Sequence, residues 1–229
     1  RGVLADKQAM RMLSKFLAAE QKLVMQRLSP YGLQNPASSD EVKDLLYDRL
    51  GLPVVATTKG GAPSTDKNAL KELEDMHPAV ADIVAWRGMN IVRNTFAEGL
   101  IPHVRPDGRI HPDFRLDGTR TGRLSWRQPN LQNIPRADTP AGKMAKDLFV
   151  ASPGHVLMQF DYSQLELRVA AMLSGDPLMR QIFDQDIDFH MATAKMISQL
   201  VWGIDPSQVT KVHRTAAKTI NFALLYGRG

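Results

Sequence analysis

The sequence predicts a mostly helical α+β chain, on three observations. Apolar residues at helical spacing, set off by caps and stops, fill positions 1–100; short arginine-rich, proline-punctuated segments with strand-like stretches follow; helical spacing then returns beyond an apolar run that ends at Asp161. The expected divisions are 1–100, 101–175 and 176–229. With 43% hydrophobic and 23% charged residues over 229 positions, the chain can bury a sizeable core.

The elements can be justified in order. Leu13, Phe16, Leu17, Val24 and Leu28 recur at helical spacing until Pro30. Ser38 with Glu41 forms a capping-box pattern ahead of Val42, Leu45, Leu46 and Leu50, and Gly51 and Pro53 end that helix. A third helix is expected from Asp66 to Met76, and a fourth enters at Pro78 and stops near Gly99. Between the second and third, residues 57–65 form a polar, basic loop. Strand-like stretches follow at Ile110 to Leu116 and at Leu148 to Ala151, and His155 to Phe160 reads as a buried strand with Asp161 at its end. Ser163-x-x-Glu166 then opens a helix that Gly175 closes. After Asp176-Pro177 the chain is helical again, breaks near Gly203 to Pro206, and enters a last helix at about Ser207.

Composition excludes several classes. Without cysteine there is neither a disulfide framework nor a thiolate zinc site, and the 6 histidines show no finger-like spacing. No apolar run is long enough to span a bilayer, and Arg1 to Lys7 lacks a secretory signal, so an intracellular protein is expected. The formal net charge is +5. Much of it is local: between Arg105 and Arg136, seven arginines (Arg105, Arg109, Arg115, Arg120, Arg123, Arg127 and Arg136) face only Asp107, Asp113 and Asp117. Arginine's planar fork suits phosphate and base-edge acceptors, although scattered surface ion pairs would read the same way.

Three stretches carry chemistry. Arg214, Lys218, Phe222 and Tyr226 fall every fourth residue along the last helix, spanning roughly 18 Å at the usual rise per residue. Cations at one end and rings at the other suit a nucleoside triphosphate. The same spacing describes an amphipathic helix with solvated polar rows and Phe222, Leu225 and Tyr226 in a core. Asp161, at a strand end, could offer a carboxylate to a hard divalent cation such as magnesium, with help from phosphates or a second acid. Glu166 there also reads as the reciprocal member of a helix cap. Thr121-Gly122-Arg123-Leu124-Ser125 and Pro129 to Pro135 cluster Arg, Asn and Gln on a proline-framed loop, able to donate to minor-groove acceptors or to do ordinary turn chemistry.

In this order the three stretches resemble family A DNA polymerases, the DNA polymerase I type. Asp188-Phe189-His190-x-x-Thr193-Ala194 is similar to that family's nucleotide-contacting segment. Leu50-Gly51-Leu52-Pro53, Lys59-Gly60, Ser64-Thr65-Asp66 and His77-Pro78 resemble its thumb. The resemblance implies a truncated right-hand architecture: a helical thumb over 1–100, part of an antiparallel palm sheet over 101–175 and part of the helical fingers over 176–229. It further implies that Asp161 and the Tyr162 carbonyl bind metal, two magnesium ions serving the intact enzyme. Arg214 and Lys218, helped by His190, would hold the triphosphate, with Asp161 and Lys218 as the catalytic residues. Phe222 would lie against the sugar, Tyr226 would stack near the templating position, and Glu166 would occupy the space of a ribose 2′-hydroxyl. Lys59, Arg123, Asn130 and Gln132 would contact the duplex. The implied partners are primer-template DNA and dNTPs, with no membrane and no second copy of the chain, and DNA affinity would be salt-dependent and nearly blind to sequence.

The same resemblance places a second catalytic aspartate in a later His-Asp-Glu block, which the sequence does not reach by Gly229, and a proofreading domain ahead of Arg1. The expectation is therefore a polymerase piece that cannot extend a primer alone. The contrasting reading is a non-catalytic primer-template-binding module. A single-subunit RNA polymerase shares the logic of the last helix, but Glu166 argues against ribonucleotides.

Overall fold

The computed structural model describes residues 2–135, 137 and 140–227, in two units, Arg1–Leu157 and Met158–Gly229. Arg136 of the arginine run lies outside the described residues.

In the first unit, β1 (Val3–Leu4) leads into α1 (Lys7–Leu28). Asp6 caps the helix by accepting from the Ala9 N–H at 2.9 Å. The apolar stripe of α1 runs through Met10, Leu17, Val24 and Leu28, all buried, whereas Phe16 is exposed. One helix therefore supplies two apolar clusters. Met10 and Leu17 join Val92, Phe96, Leu100, Val104, Ile110, Leu131 and Leu148. Val24 and Leu28 join Val42, Leu45, Leu46, Leu70, Leu73, Val80 and Ile83. Gln21, between the two stretches of α1, is buried and polar; its amide donates to Asn90 at 3.3 Å and accepts from Arg93 at 3.2 Å.

In the first unit the expected helix starts at Ser38, Asp66 and Pro78 form. Ser38 accepts from the Glu41 N–H ahead of α2 (Ser39–Lys43), but the Glu41 carboxylate turns to the Gln34 and Asn35 N–H groups, so the reciprocal half of the box is replaced. The helix then widens into π turns over Asp44–Arg49. Asp66 caps α3 (Lys67–Leu73) with bonds from Asn68 and Ala69, both 2.9 Å. Pro78 is the first residue of α4 (Pro78–Ile91), whose turns also widen over Val92–Glu98 before Gly99. Arg87 on α4 donates to the carbonyls of Pro36 at 2.7 Å and Thr65 at 2.5 Å, fastening the end of the 57–65 loop.

The sheet content is small and antiparallel. β2 (Arg109–Ile110) pairs with β1, and β3 (Asp113–Arg115) pairs with β4 (Ser125–Arg127), placing Phe114 opposite Trp126 with ring centroids 4.5 Å apart. Around the expected strand at Leu148 to Ala151, after α5 (Pro140–Lys146), Phe149 bridges Ala5 and the Val150 N–H donates to Leu4.

Two expectations fail here. His155 to Phe160 is not a buried strand: among the described residues it pairs with none, and Val156 and Phe160 are 76% and 85% exposed. An apolar run carries no ladder by itself; a strand exists only where a second strand meets its N–H and C=O groups. The second concerns Ser163. In the second unit α6 (Leu165–Ser174) begins two residues after it, with Gln164 in the left-handed region at φ 53° as N-cap and no side-chain cap bond. Ser163 and Glu166 therefore form no capping box.

The remaining helices are α7 (Pro177–Asp184), α8 (Phe189–Trp202) and α9 (Lys211–Leu225), with α7 and α8 capped by Asp176 and Asp188. Pro206–Gln208 is a separate 3₁₀ turn, so the last helix starts later than Ser207. α8 and α9 pack together and bury Ala194 and Ser198 of the one and Ala217 and Asn221 of the other, each pair four apart on its helix.

Candidate functional site

The packing of α8 on α9 decides which faces of α9 remain open. Its buried row is Ala217 and Asn221, so Lys218 and Tyr226 are exposed and Phe222 is half-buried. The alternative in which Phe222, Leu225 and Tyr226 form a core does not hold, since Leu225 and Tyr226 are exposed. Lys218, Phe222 and Tyr226, with Thr215, Thr219 and Ala223, line an open groove of about 440 Å³. The Phe222 and Tyr226 rings are nearly parallel, 14° apart, with centroids at 6.1 Å.

Tyr226, the C-cap of α9, closes a link to α6: its hydroxyl donates to a Glu166 carboxylate oxygen at 2.8 Å. Glu166 sits in the first turn of α6 and turns towards the aromatic end of α9 instead of capping its own helix. Next to Phe222, at 5.7 Å between centroids, lies His190, 3% exposed. Its Nδ1 is 3.1 Å from the Asn221 side-chain nitrogen. Burial, then the positive Arg214 and, more weakly, Lys218 push the imidazole below its ordinary pKa, and Asp188 opposes them.

Arg214 does not line the groove. Its Nε and Nη2 donate to one Asp188 oxygen at 2.9 and 2.7 Å. The other Asp188 oxygen accepts the Met191 N–H at 2.9 Å, so one carboxylate caps α8 and holds α9. Burial raises the Asp188 pKa, but the Arg214 and Met191 bonds outweigh it and the net shift is downward.

The structure thus brings Glu166, Tyr226, Phe222 and His190 into one contiguous set, with Arg214 and Lys218 contributing positive potential at His190. Asp161 and Tyr162 do not join it: both are exposed, and no hydrogen bond or ion pair ties Asp161 to another described residue. Among the described residues no three His, Asp or Glu side chains gather as a metal site. Asp161 and the Tyr162 carbonyl are hard oxygen donors, right in kind for magnesium but too few to hold it alone.

In the first unit, Lys59 is exposed in a turn whose Thr58 N–H donates to Ala62 at 2.7 Å, with Gly61 at φ 82°. Asn130 caps the short 3₁₀ turn Leu131–Asn133. The Gln132 amide braces the same loop, accepting from the Trp126 N–H at 3.2 Å and donating to the Leu124 carbonyl at 3.0 Å. The Arg123 carbonyl accepts from the Thr119 hydroxyl at 2.8 Å. Sequence reasoning missed Asp188 and Asn221 as working residues. Asp188 carried a usable signal, an acidic residue two before His190 at a helix start. Asn221 carried only its place in a buried row.

Known proteins resemble the chain over most of its length. Thermostable DNA polymerase I of Thermus filiformis is 41% identical over 238 aligned residues, covering 99% of this chain and 27% of the relative. The Thermus thermophilus enzyme of the same name is 43% identical over 195 residues, covering 84% of this chain and 23% of its own length. The chain thus spans about a quarter of the curated relatives it matches. Among solved structures, the POL domain of Pol1 from M. smegmatis in complex with DNA primer-template and dNTP superposes with a TM-score of 0.84 at 33% identity, covering 99% of this chain and 40% of that one. The sequence model of DNA polymerase family A matches residues 7–229, and the chain belongs to that family.

Proposed function

We propose that this chain is part of a DNA-templated DNA polymerase and that its second unit carries the surface that binds the incoming dNTP. The observation that carries the reading is the contiguous set Glu166, Tyr226, Phe222 and His190 beside the Lys218 groove. The similar M. smegmatis domain, solved with primer-template and dNTP, supports the same assignment. Lys218 neutralises triphosphate charge from the groove and Arg214, held by Asp188, does so from one turn away along α9; Phe222 lies against the sugar, and Tyr226 stacks near the templating base. Glu166 excludes the 2′-hydroxyl, and its bond from the Tyr226 hydroxyl sets its carboxylate at the aromatic end of α9.

In the first unit, Lys59 meets the duplex backbone and Arg123, Asn130 and Gln132 the minor groove, Gln132 also holding their loop in shape. Asp161 and the Tyr162 carbonyl are proposed magnesium ligands; in the intact enzyme two such ions would activate the primer 3′-hydroxyl and stabilise the leaving pyrophosphate. We propose no membrane and no second copy as partners; among the described residues no helix is long and apolar enough to cross a membrane. Residues 1–229 alone offer one carboxylate at Asp161, so the isolated polypeptide is not expected to extend a primer.

The test is Lys218→Ala in the full polymerase. It should raise KM for dNTP and lower kcat while primer-template affinity stays within about twofold. An equal loss of duplex affinity would remove α9 from the nucleotide site.

A further inference from the structure

The helix pair α8 and α9 contains a buried polar chain that the nucleotide reading does not require. The Thr193 hydroxyl donates to the Phe189 carbonyl at 3.0 Å, one turn back along α8. With its proton so placed, Thr193 Oγ1 can only accept, and the Asn221 atom 3.0 Å from it is the amide N–H group. The same amide nitrogen lies 3.1 Å from His190 Nδ1. An amide N–H faces an acceptor, so Nδ1 carries no proton. Asn221 is 9% exposed and His190 3%, so water has little room to reorder this chain.

The charges around the imidazole agree. Asp188 on α8, and Arg214 and Lys218 on α9, are the ionisable groups that act on it. A protonated ring would set a second donor against the Asn221 N–H and a third positive charge beside Arg214 and Lys218. A neutral ring with a bare Nδ1 holds its proton on Nε2. Nε2 has no hydrogen-bond partner among the described residues and is not sealed from solvent, which leaves a donor open to an acceptor from outside the protein.

We infer that Asn221 is a positioning residue that locks His190 as the neutral Nε2–H tautomer, so that His190 presents an uncharged donor to an anionic oxygen. That the oxygen belongs to the dNTP triphosphate rests on the function proposed above; the lock itself does not. A neutral donor beside two cations adds direction to phosphate binding without further charge repulsion within the protein.

Ring-nitrogen NMR of the full polymerase with labelled histidines tests the lock, His190 being assigned by the signal lost in His190→Ala. An unprotonated Nδ1 and a protonated Nε2 at neutral pH are expected. A protonated Nδ1, alone or in an imidazolium, overturns the inference. Asn221→Asp replaces the donor with an acceptor, so it should move the proton to Nδ1 or charge the ring and raise KM for dNTP about tenfold. In the His190→Ala background, already impaired, the same change should add nothing to KM. An equal further rise there would mean that Asn221 merely packs the helices, and the inference falls. If His190→Ala leaves KM untouched while the spectrum shows the expected tautomer, the lock stands and the nucleotide role of His190 is withdrawn.

Discussion

Asp188 does two jobs with two oxygens, and two substitutions separate them. Asp188→Asn keeps a good N-cap for α8 but loses the ion pair with Arg214; Asp188→Ala loses both. A hydrogen-bonded charged pair is worth about 1.5–3 kcal/mol when shielded. These side chains are 33% and 40% exposed, which brings the pair down to about 1 kcal/mol. The cap adds about 1 kcal/mol. The cost should therefore be about 1 kcal/mol for Asp188→Asn and about 2 kcal/mol for Asp188→Ala. Hydrogen exchange of the full polymerase reads this directly at the Met191 amide, which the cap protects. Exchange should quicken roughly fivefold in Asp188→Asn and roughly thirtyfold in Asp188→Ala, while α4 stays unchanged. Equal acceleration by both would refute the division of labour, since it would leave the cap no separate share.

Other outcomes follow from the same surface. Glu166→Ala in the full polymerase should raise ribonucleotide incorporation; Tyr226→Phe, which removes only the 2.8 Å bond to Glu166, should raise it less, and incorporation assays with both nucleotide types compare the two. Phe222→Tyr adds a hydroxyl where we propose the sugar lies and should relax discrimination against dideoxynucleotides, read as termination on a primer ladder. Arg87→Ala leaves the Pro36 and Thr65 carbonyls without their donor and should destabilise the first unit by about 2 kcal/mol, seen as a lower urea midpoint for that unit. His190 has a lowered pKa when folded, so the unfolded chain takes up its proton first as pH falls below about 6.5. Stability of the second unit should decline through that range in wild type and less in His190→Gln, followed by melting temperature against pH.

The helices were legible because their ends are local chemistry. Asp66, Pro78, Asp176 and Gly175 mark boundaries that depend on residues within one turn. The run at 155–160 was not legible, because pairing depends on chain far away in sequence. Ser163 failed as a cap for a subtler reason: the local pattern was present, but Gln164 took the left-handed conformation and moved the helix start past it. At the site, periodicity placed Lys218, Phe222 and Tyr226 along one groove, whereas the Asn221 to His190 contact joins positions 31 apart and required the packed helices to be seen.

α1 is a rod of 22 residues, about 33 Å long, and each half is rooted in a different apolar cluster. Neither cluster can melt without fraying a helix that the other still grips, so heat should release the first unit in one cooperative step. At the junction Gln21 ties α1 to Asn90 and Arg93, so a glycine there should lower the temperature of that step while leaving it single.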